Sequence, residues 1–187
     1  HDDIGSSLSS IALVSENVRN VLSEDHPAHP NLLSVTNVAR QAADRLKDDV
    51  WVIKPGSDTL ENLLLRMKDA TQSLIGHLQF SFNADTNGTA RQVPLEFRRN
   101  ILFIYKEALH NIVKHSSASS VAISIGLKDG SFTLEVRDNG IGFDPQTAPN
   151  GNGLINLRRR ADAVKGTLVI ESTMNEGTRI LVTARIP

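Results

Sequence analysis

The sequence predicts an α+β chain in two parts: a helical hairpin that becomes a four-helix bundle on dimerisation, then a two-layer α/β sandwich. Three observations predict it. Apolar residues recur at alternating three- and four-residue steps through residues 1–53. After residue 76 the period drops to two in several short runs. Between these regimes KPGSD, at 54–58, reads as a linker, which divides the chain into 1–55 and 56–187.

In residues 1–24 the apolar stripe is Ile4, Leu8, Ile11, Ser15, Val18 and Leu22. In residues 31–53 it is Leu32, Val35, Ala39, Ala42, Leu46, Asp49 and Ile53. Each is heptad-like with one polar intruder. EDHPAHP lies between them, and Pro27 and Pro30 end any continuous helix and impose a turn. A lone hairpin buries one side of two stripes. A second copy is the economical cover, giving a homodimer through residues 1–53.

Beyond the linker, Asp58 is expected to N-cap a helix with Glu61 three residues on. That helix, TLENLLLRMKDATQSLIG, carries its apolar face through Leu60, Leu63, Leu64, Met67 and Leu74. HLQFSFNA alternates and reads as a strand, residues 85–92 as a polar loop, and Pro94 opens the long helix LEFRRNILFIYKEALHNIVKHS. SVAISIGLKDG and SFTLEVRDNG pair about a turn at Asp129 and Gly130. A Gly-rich loop spans 139–153, and GLINLRRRADAV is helical, ending at Lys165 and Gly166. Two strands about a turn at Asn175 to Gly177 close the chain, and the strands are expected to form an antiparallel sheet.

Composition narrows the function. Twenty basic residues against 21 acidic leave no field that would draw the chain directly to nucleic acid or an anionic membrane. With no cysteine there is neither a disulfide framework nor a thiolate metal site. No apolar run approaches the roughly 20 residues that span a bilayer, and no signal peptide is visible. The chain opens with His1 rather than methionine. It therefore reads as an N-terminally truncated cytoplasmic fragment, whose parent would be membrane-anchored only through upstream segments absent here.

Four short elements carry the chemistry: EALHNIVKH, DNGIG, GNGL and EGTR, in that order within about 75 residues. Each is weak alone; together, over residues 60–187, they resemble the Bergerat-type ATP-binding domain of sensor histidine kinases, gyrase-type topoisomerases, Hsp90 and mismatch-repair ATPases. The resemblance implies ATP and Mg²⁺. Glu107 and Asn111 share a helix face at i and i+4. Asn111 is the implied oxygen ligand bridging Mg²⁺ to the triphosphate, with Glu107 near the metal and its waters. Lys114 and His115 are similar to the phosphate-side basic pair. Asp138 is the implied acceptor for the adenine amino group, and Gly140 and Gly142 let the backbone approach the nucleotide. Gly151 and Gly153 end the ATP lid, where the helix from Leu154 offers unpaired N–H groups to the phosphates. Gly177 sits at the tight strand turn, and Thr178 resembles the threonine that reaches the adenine side through water.

The first 53 residues extend the resemblance. HDDIG followed by a heptad hairpin, and DDVWVIKPGSDTLENLLLRM with Trp51 and Pro55, resemble sensor histidine kinases of the nitrate-sensor and DesK-like class. Resemblance to that class implies autophosphorylation of His1 and phosphoryl transfer to an Asp of a response regulator receiver domain. Asp2 is the implied neighbour that orients the imidazole and takes its proton, although i and i+1 side chains diverge on a helix. One departure matters: where many members carry Gln five residues after the histidine, this chain has Ser6, which puts phosphatase activity in doubt. His1, at a fraying helix end, is expected to autophosphorylate poorly in this fragment. Two rival readings stand beside this one: a non-kinase ATPase whose hairpin only dimerises, and a degenerate kinase acting as a nucleotide-binding scaffold. Outside the motifs, His26, His29, His77 and His110 read as turn, end or surface residues, and Arg158, Arg159 and Arg160 as a solvated helix face.

Overall fold

The computed structural model describes residues 2–23, 25–53, 56, 58–86, 91–144 and 152–187, in two compact units, 1–54 and 55–187. His1, most of the lid with Gly151, the linker positions Lys54, Pro55 and Ser57, and the side chain of Asp2 lie outside the described residues.

The first unit pairs α1 (Asp2–Val21) with α2 (His29–Ile53). Its seam is made of small side chains. Ala12 and Ser15 of α1 and Thr36, Ala39 and Ala43 of α2 are buried, and Leu46 Cδ2 comes within 3.8 Å of the place a Cβ on Gly5 would take. The Thr36 hydroxyl donates to the Leu32 carbonyl at 2.9 Å, so its burial leaves no orphan. Ser15 and Ala39 belong to the expected stripes; other stripe members lie beside the seam in the single chain. Ile4, Ile11, Val18 and Val35 remain 57, 48, 44 and 44% exposed. Small residues allow the closest helix approach, so the larger aliphatics fall beside the seam rather than in it. Arg40 and Glu16 tie the helices with an ion pair of 2.5 Å. In the turn between them, His26 Nδ1 accepts from the Ala28 amide at 3.2 Å.

The second unit lays α3 (Leu60–Ile75), α4 (Leu95–Asn111) and α5 (Asn152–Ala163) on one face of a five-stranded sheet. The strands are β1 (Gln79–Thr86), β2 (Ser120–Lys128), β3 (Ser131–Asp138), β4 (Thr167–Thr173) and β5 (Gly177–Arg185), in the order β1-β2-β3-β5-β4. The helix-side face of β2 and β3 is fully apolar until their ends: Val121, Ile123, Ile125 and Leu127 lie beside Phe132, Leu134 and Val136. Opposite them α3 and α4 bury Leu60, Leu63, Met67, Ile101, Ile104 and Leu109. Phe97 of α4 meets Phe132 edge-on, with ring centroids 5.5 Å apart. The buried Tyr105 hydroxyl pairs with Thr71, whose own proton goes to the Met67 carbonyl, so Tyr105 is the donor.

Two expectations change. The sheet is mixed, because β1 and β2 run parallel from Gln79↔Ser120 to Thr86↔Leu127. The chain between them contains α4, and a crossover of that length returns a strand in the same direction, which a hairpin turn cannot do. The N-cap of α3 is Thr59 rather than Asp58: the Thr59 hydroxyl accepts from the Asn62 amide at 3.3 Å. The Asp58 carbonyl instead takes the Val93 amide at 2.7 Å, and Thr59 bridges Gln92. That backbone clasp places Asp58 before the helix.

Candidate functional site

Asp138, Gly140, Gly142, Gly177 and Thr178 gather where the strands end, beside the turn in which α4 changes pitch. β3 finishes at Asp138, which faces Thr178 on β5; Thr178 in turn faces Ser172 on β4. Residues directly opposite on neighbouring strands share a face, so these three polar groups continue the apolar helix-side row of the sheet. The hydrophobic pattern thus stops at the site, and the pleat carries the site residues inward.

Asp138 is 6% exposed. Its Oδ1 accepts from the Gly140 amide at 2.8 Å, and the Thr178 amide also donates to it. Burial nevertheless outweighs both donors and pushes its carboxyl above the usual range. The segment after Asp138 is pinned to two neighbouring strand ends. Phe143 N–H donates to Ser172 Oγ at 2.9 Å, and Asn175 N–H donates to the Ile141 carbonyl at 2.7 Å. Gly142 and Gly177 hold positive φ, 59° and 87°. A Cβ on the first would overlap the Thr173 carbonyl, and one on the second the Asp138 carbonyl. Gly140 lies against Ser116, and Ile141 N–H donates to the Ser116 carbonyl at 2.7 Å.

Ser116 belongs to a π-helical turn, Ile112–Ser116, that ends α4. The sequence reads as one continuous helix there; the structure widens the last turn to i→i+5 hydrogen bonds. The Ser116 hydroxyl donates to the Ile112 carbonyl at 2.8 Å and accepts from Ala118 N–H at 3.0 Å. Its own carbonyl is thereby left for Ile141. Lys114 and His115 lie in this turn with exposed side chains, while Glu107 and Asn111, one α-turn earlier, are half-buried.

α4 also faces α5, from Glu107 back to Asn100. A Cβ on Gly153 would sit 2.9 Å from Glu107 Oε1, so the first turn of α5 with half-buried Leu154 starts against that carboxylate. Further along, Arg160 Nη1 donates to Asn100 Oδ1 at 3.0 Å, and its guanidinium stacks 4.4 Å over the Phe103 ring. Arg160 is therefore no solvated face residue; Arg158 and Arg159 are exposed. Among the expected residues, Asp138, Gly140, Gly142, Gly177 and Thr178 form one knot, and Glu107 meets Gly153. Three contributors escaped the sequence reading. Asn139 accepts from the amides of Ser119 and Ser120 at 3.0 and 2.9 Å, a role its place before glycine in a turn could have signalled. Ser116 and Ser172 carried no signal, because serine is common at any surface position.

The donors suit a magnesium–nucleotide better than a bare metal. Among the described residues no three His, Asp or Glu side chains converge on a metal. Glu107 and Asn111 alone would leave most ligand positions to phosphate oxygens and water, the usual manner for Mg²⁺. The buried Asp138 carboxylate suits an N–H donor, and the glycines leave backbone exposed where a side chain would fill the approach.

Residues 98–187 match the family described as histidine kinase-, DNA gyrase B-, and HSP90-like ATPase. The chain is 28% identical over 193 residues to the signal transduction histidine-protein kinase/phosphatase UhpB of Salmonella typhimurium, covering 97% of this chain and 36% of that protein. It is 24% identical over 187 residues to the nitrate/nitrite sensor protein NarQ of Escherichia coli, covering 99% of this chain and 33% of that protein. Both matches run across nearly the whole chain, which spans about a third of their length. The histidine kinase domain of the Erythrobacter litoralis EL346 blue-light activated kinase has the same fold, with a TM-score of 0.59 and 14% identity over 97% of this chain and 94% of that one.

Proposed function

We propose, from the membership of residues 98–187 in the histidine kinase-, DNA gyrase B-, and HSP90-like ATPase family, that this chain is the dimerisation and catalytic part of a two-component sensor histidine kinase. The observation that carries the reading is the knot around buried Asp138, whose acceptor oxygens suit the adenine amino group. Asn111 with Glu107 would hold Mg²⁺, which when bound neutralises charge on the phosphates. The start of α5, at Gly153 and Leu154, would donate to the triphosphate, with Gly151 preceding it in the sequence and Lys114 and His115 on the basic side. The neutral imidazole of His1 is the proposed nucleophile. Its nitrogen forms a bond to the γ-phosphorus as the bond to the ADP oxygen breaks, and its proton passes to Asp2. The phosphoryl group would then pass to an Asp of a response regulator receiver domain.

The hairpin supports dimerisation through residues 1–53. Ile4, Ile11 and Val18 lie seven residues apart on one line of α1 and are exposed, as are Val35 and Val38 of α2. Ile4 and Leu8 share a groove with Val38, Ala42 and Leu46, so both helices offer aliphatic surface on the same side. Among the described residues no helix is long and apolar enough to cross a membrane. We place the chain in the cytoplasm, with any membrane attachment made by other segments of the parent.

The test is a titration with ATP and Mg²⁺ followed by labelled γ-phosphate. The expected product is acid-labile, base-stable phosphoprotein that is lost in His1→Gln while ATP affinity is retained. Label on the variant at the unmodified rate overturns the assignment, and hydrolysis without phosphoprotein favours an ATPase.

A further inference from the structure

Three groups converge on the Ser172 hydroxyl. The Gly177 carbonyl lies 3.0 Å from it, the Thr178 hydroxyl 2.9 Å and the Phe143 amide 2.9 Å. A carbonyl can only accept and an amide N–H can only donate. Serine has one proton and two lone pairs. All three contacts are satisfied in one way: Ser172 donates to Gly177 O and accepts from both Phe143 N–H and the Thr178 hydroxyl. The single Thr178 proton is then committed to Ser172, and Thr178 Oγ1 offers lone pairs alone to anything else. Its neighbour across the sheet, the Asp138 carboxylate, is likewise acceptor-only when ionised.

We infer that Ser172 is a specificity-determining positioning residue: by taking the Thr178 proton it makes the Asp138–Thr178 rim acceptor-only, which favours a purine with a 6-amino group over one with a 6-carbonyl. The inference rests on the nucleotide-site reading above. An amino group, or a water that accepts from it and donates to Thr178, satisfies such a rim. A 6-carbonyl brings lone pairs against lone pairs and leaves buried acceptors unpaired, a penalty larger than the gain from one ordinary hydrogen bond. Without the Ser172 acceptor, the Thr178 hydroxyl is free to rotate and donate to a carbonyl. Ser172 thereby sets the direction of a hydrogen bond it does not itself make to the base. The same hydroxyl anchors Phe143, at the start of the lid, so loss of shape must be separated from loss of polarity.

The test compares Mg²⁺-ATP with Mg²⁺-inosine triphosphate on the full chain, by calorimetric titration beside a thermal melt. In Ser172→Ala the preference for ATP over inosine triphosphate should fall by about fivefold to tenfold, through weaker ATP and equal or tighter inosine triphosphate binding. Ser172→Thr, which retains a hydroxyl, should restore most of the preference. If both nucleotides weaken by the same factor in Ser172→Ala, Ser172 is only structural and the inference falls. Absence of any preference in the unmodified chain also overturns it. Should Ser172→Ala fail to melt cooperatively, Ser172→Cys keeps the volume while giving only a weak S–H donor and acceptor, and the same ratio decides. An unmodified chain that binds no ATP overturns the nucleotide-site reading and this assignment together. ATP binding with an unmoved ratio overturns this assignment alone.

Discussion

The two units close their cores differently. In the sheet unit the largest side chains are inside: Tyr105, Phe132, Met67 and several Leu and Ile are essentially inaccessible. In the hairpin the buried positions belong to Ala12, Ser15, Thr36, Ala39, Ala43 and, at the end of α2, Val52, while Ile11, Val14, Val18 and Val38 are exposed. Burial of a large aliphatic or aromatic side chain is worth about 1.5–3 kcal/mol, and alanine contributes far less. The sheet unit thus holds its own driving force. The hairpin leaves much of its aliphatic surface exposed, as the proposed dimer requires.

The largest test of that contrast is Ile11→Lys combined with Val18→Lys. Charges on the outward stripe should dissociate the proposed dimer and abolish the hairpin's thermal transition, while ATP affinity of the sheet unit stays within about twofold. Sedimentation and calorimetry read the two effects separately; a dimer surviving the double substitution breaks the comparison. Next comes Phe132→Ala. Removing a fully buried ring that also meets Phe97 should cost about 3–5 kcal/mol, lower only the sheet unit's transition, and leave dimerisation intact.

The smallest effect is a pH dependence at the site. Asp138 keeps its proton to higher pH in the folded chain than the usual carboxyl value of about 3.9, chiefly because it is buried. Without nucleotide, its contribution to stability is present below that usual value and is lost as pH rises through the raised one. The proposed nucleotide contact has the opposite sign, since the ionised carboxylate is the stronger acceptor for an adenine amino group. ATP affinity should decline on acidification through the raised value, a window beginning above the ordinary carboxylate range. Asp138→Asn should remove both dependences and weaken ATP about tenfold or more. Calorimetric titrations at several pH values check the sign, and affinity flat through that window refutes the role of Asp138.

Much of this architecture was legible in the sequence. The heptad stripes gave two helices, Pro27 and Pro30 the turn between them, and alternation in SVAISIGLKDG and SFTLEVRDNG a strand pair with its turn at Asp129 and Gly130. The misreadings share one cause. Asp58 and Thr59 are both competent caps; Asp58 was excluded by its carbonyl pairing with Val93, some 35 residues away. Alternation marks β1 as a strand without naming its partner.

The site divides along the same line. The order and spacing of four short motifs carried a family resemblance, and that resemblance nominated Asp138, Asn111, Glu107 and the glycines. Short-range periodicity likewise sufficed for most elements, since helix and strand patterns are local. That Phe143 meets Ser172, that Ser116 meets Ile141 through a π turn, and that Arg160 stacks on Phe103 were settled by groups far apart in sequence. A hydroxyl, a carbonyl or a guanidinium takes whichever partner the packed fold brings within about 3 Å, and no pattern along the chain encodes that distance.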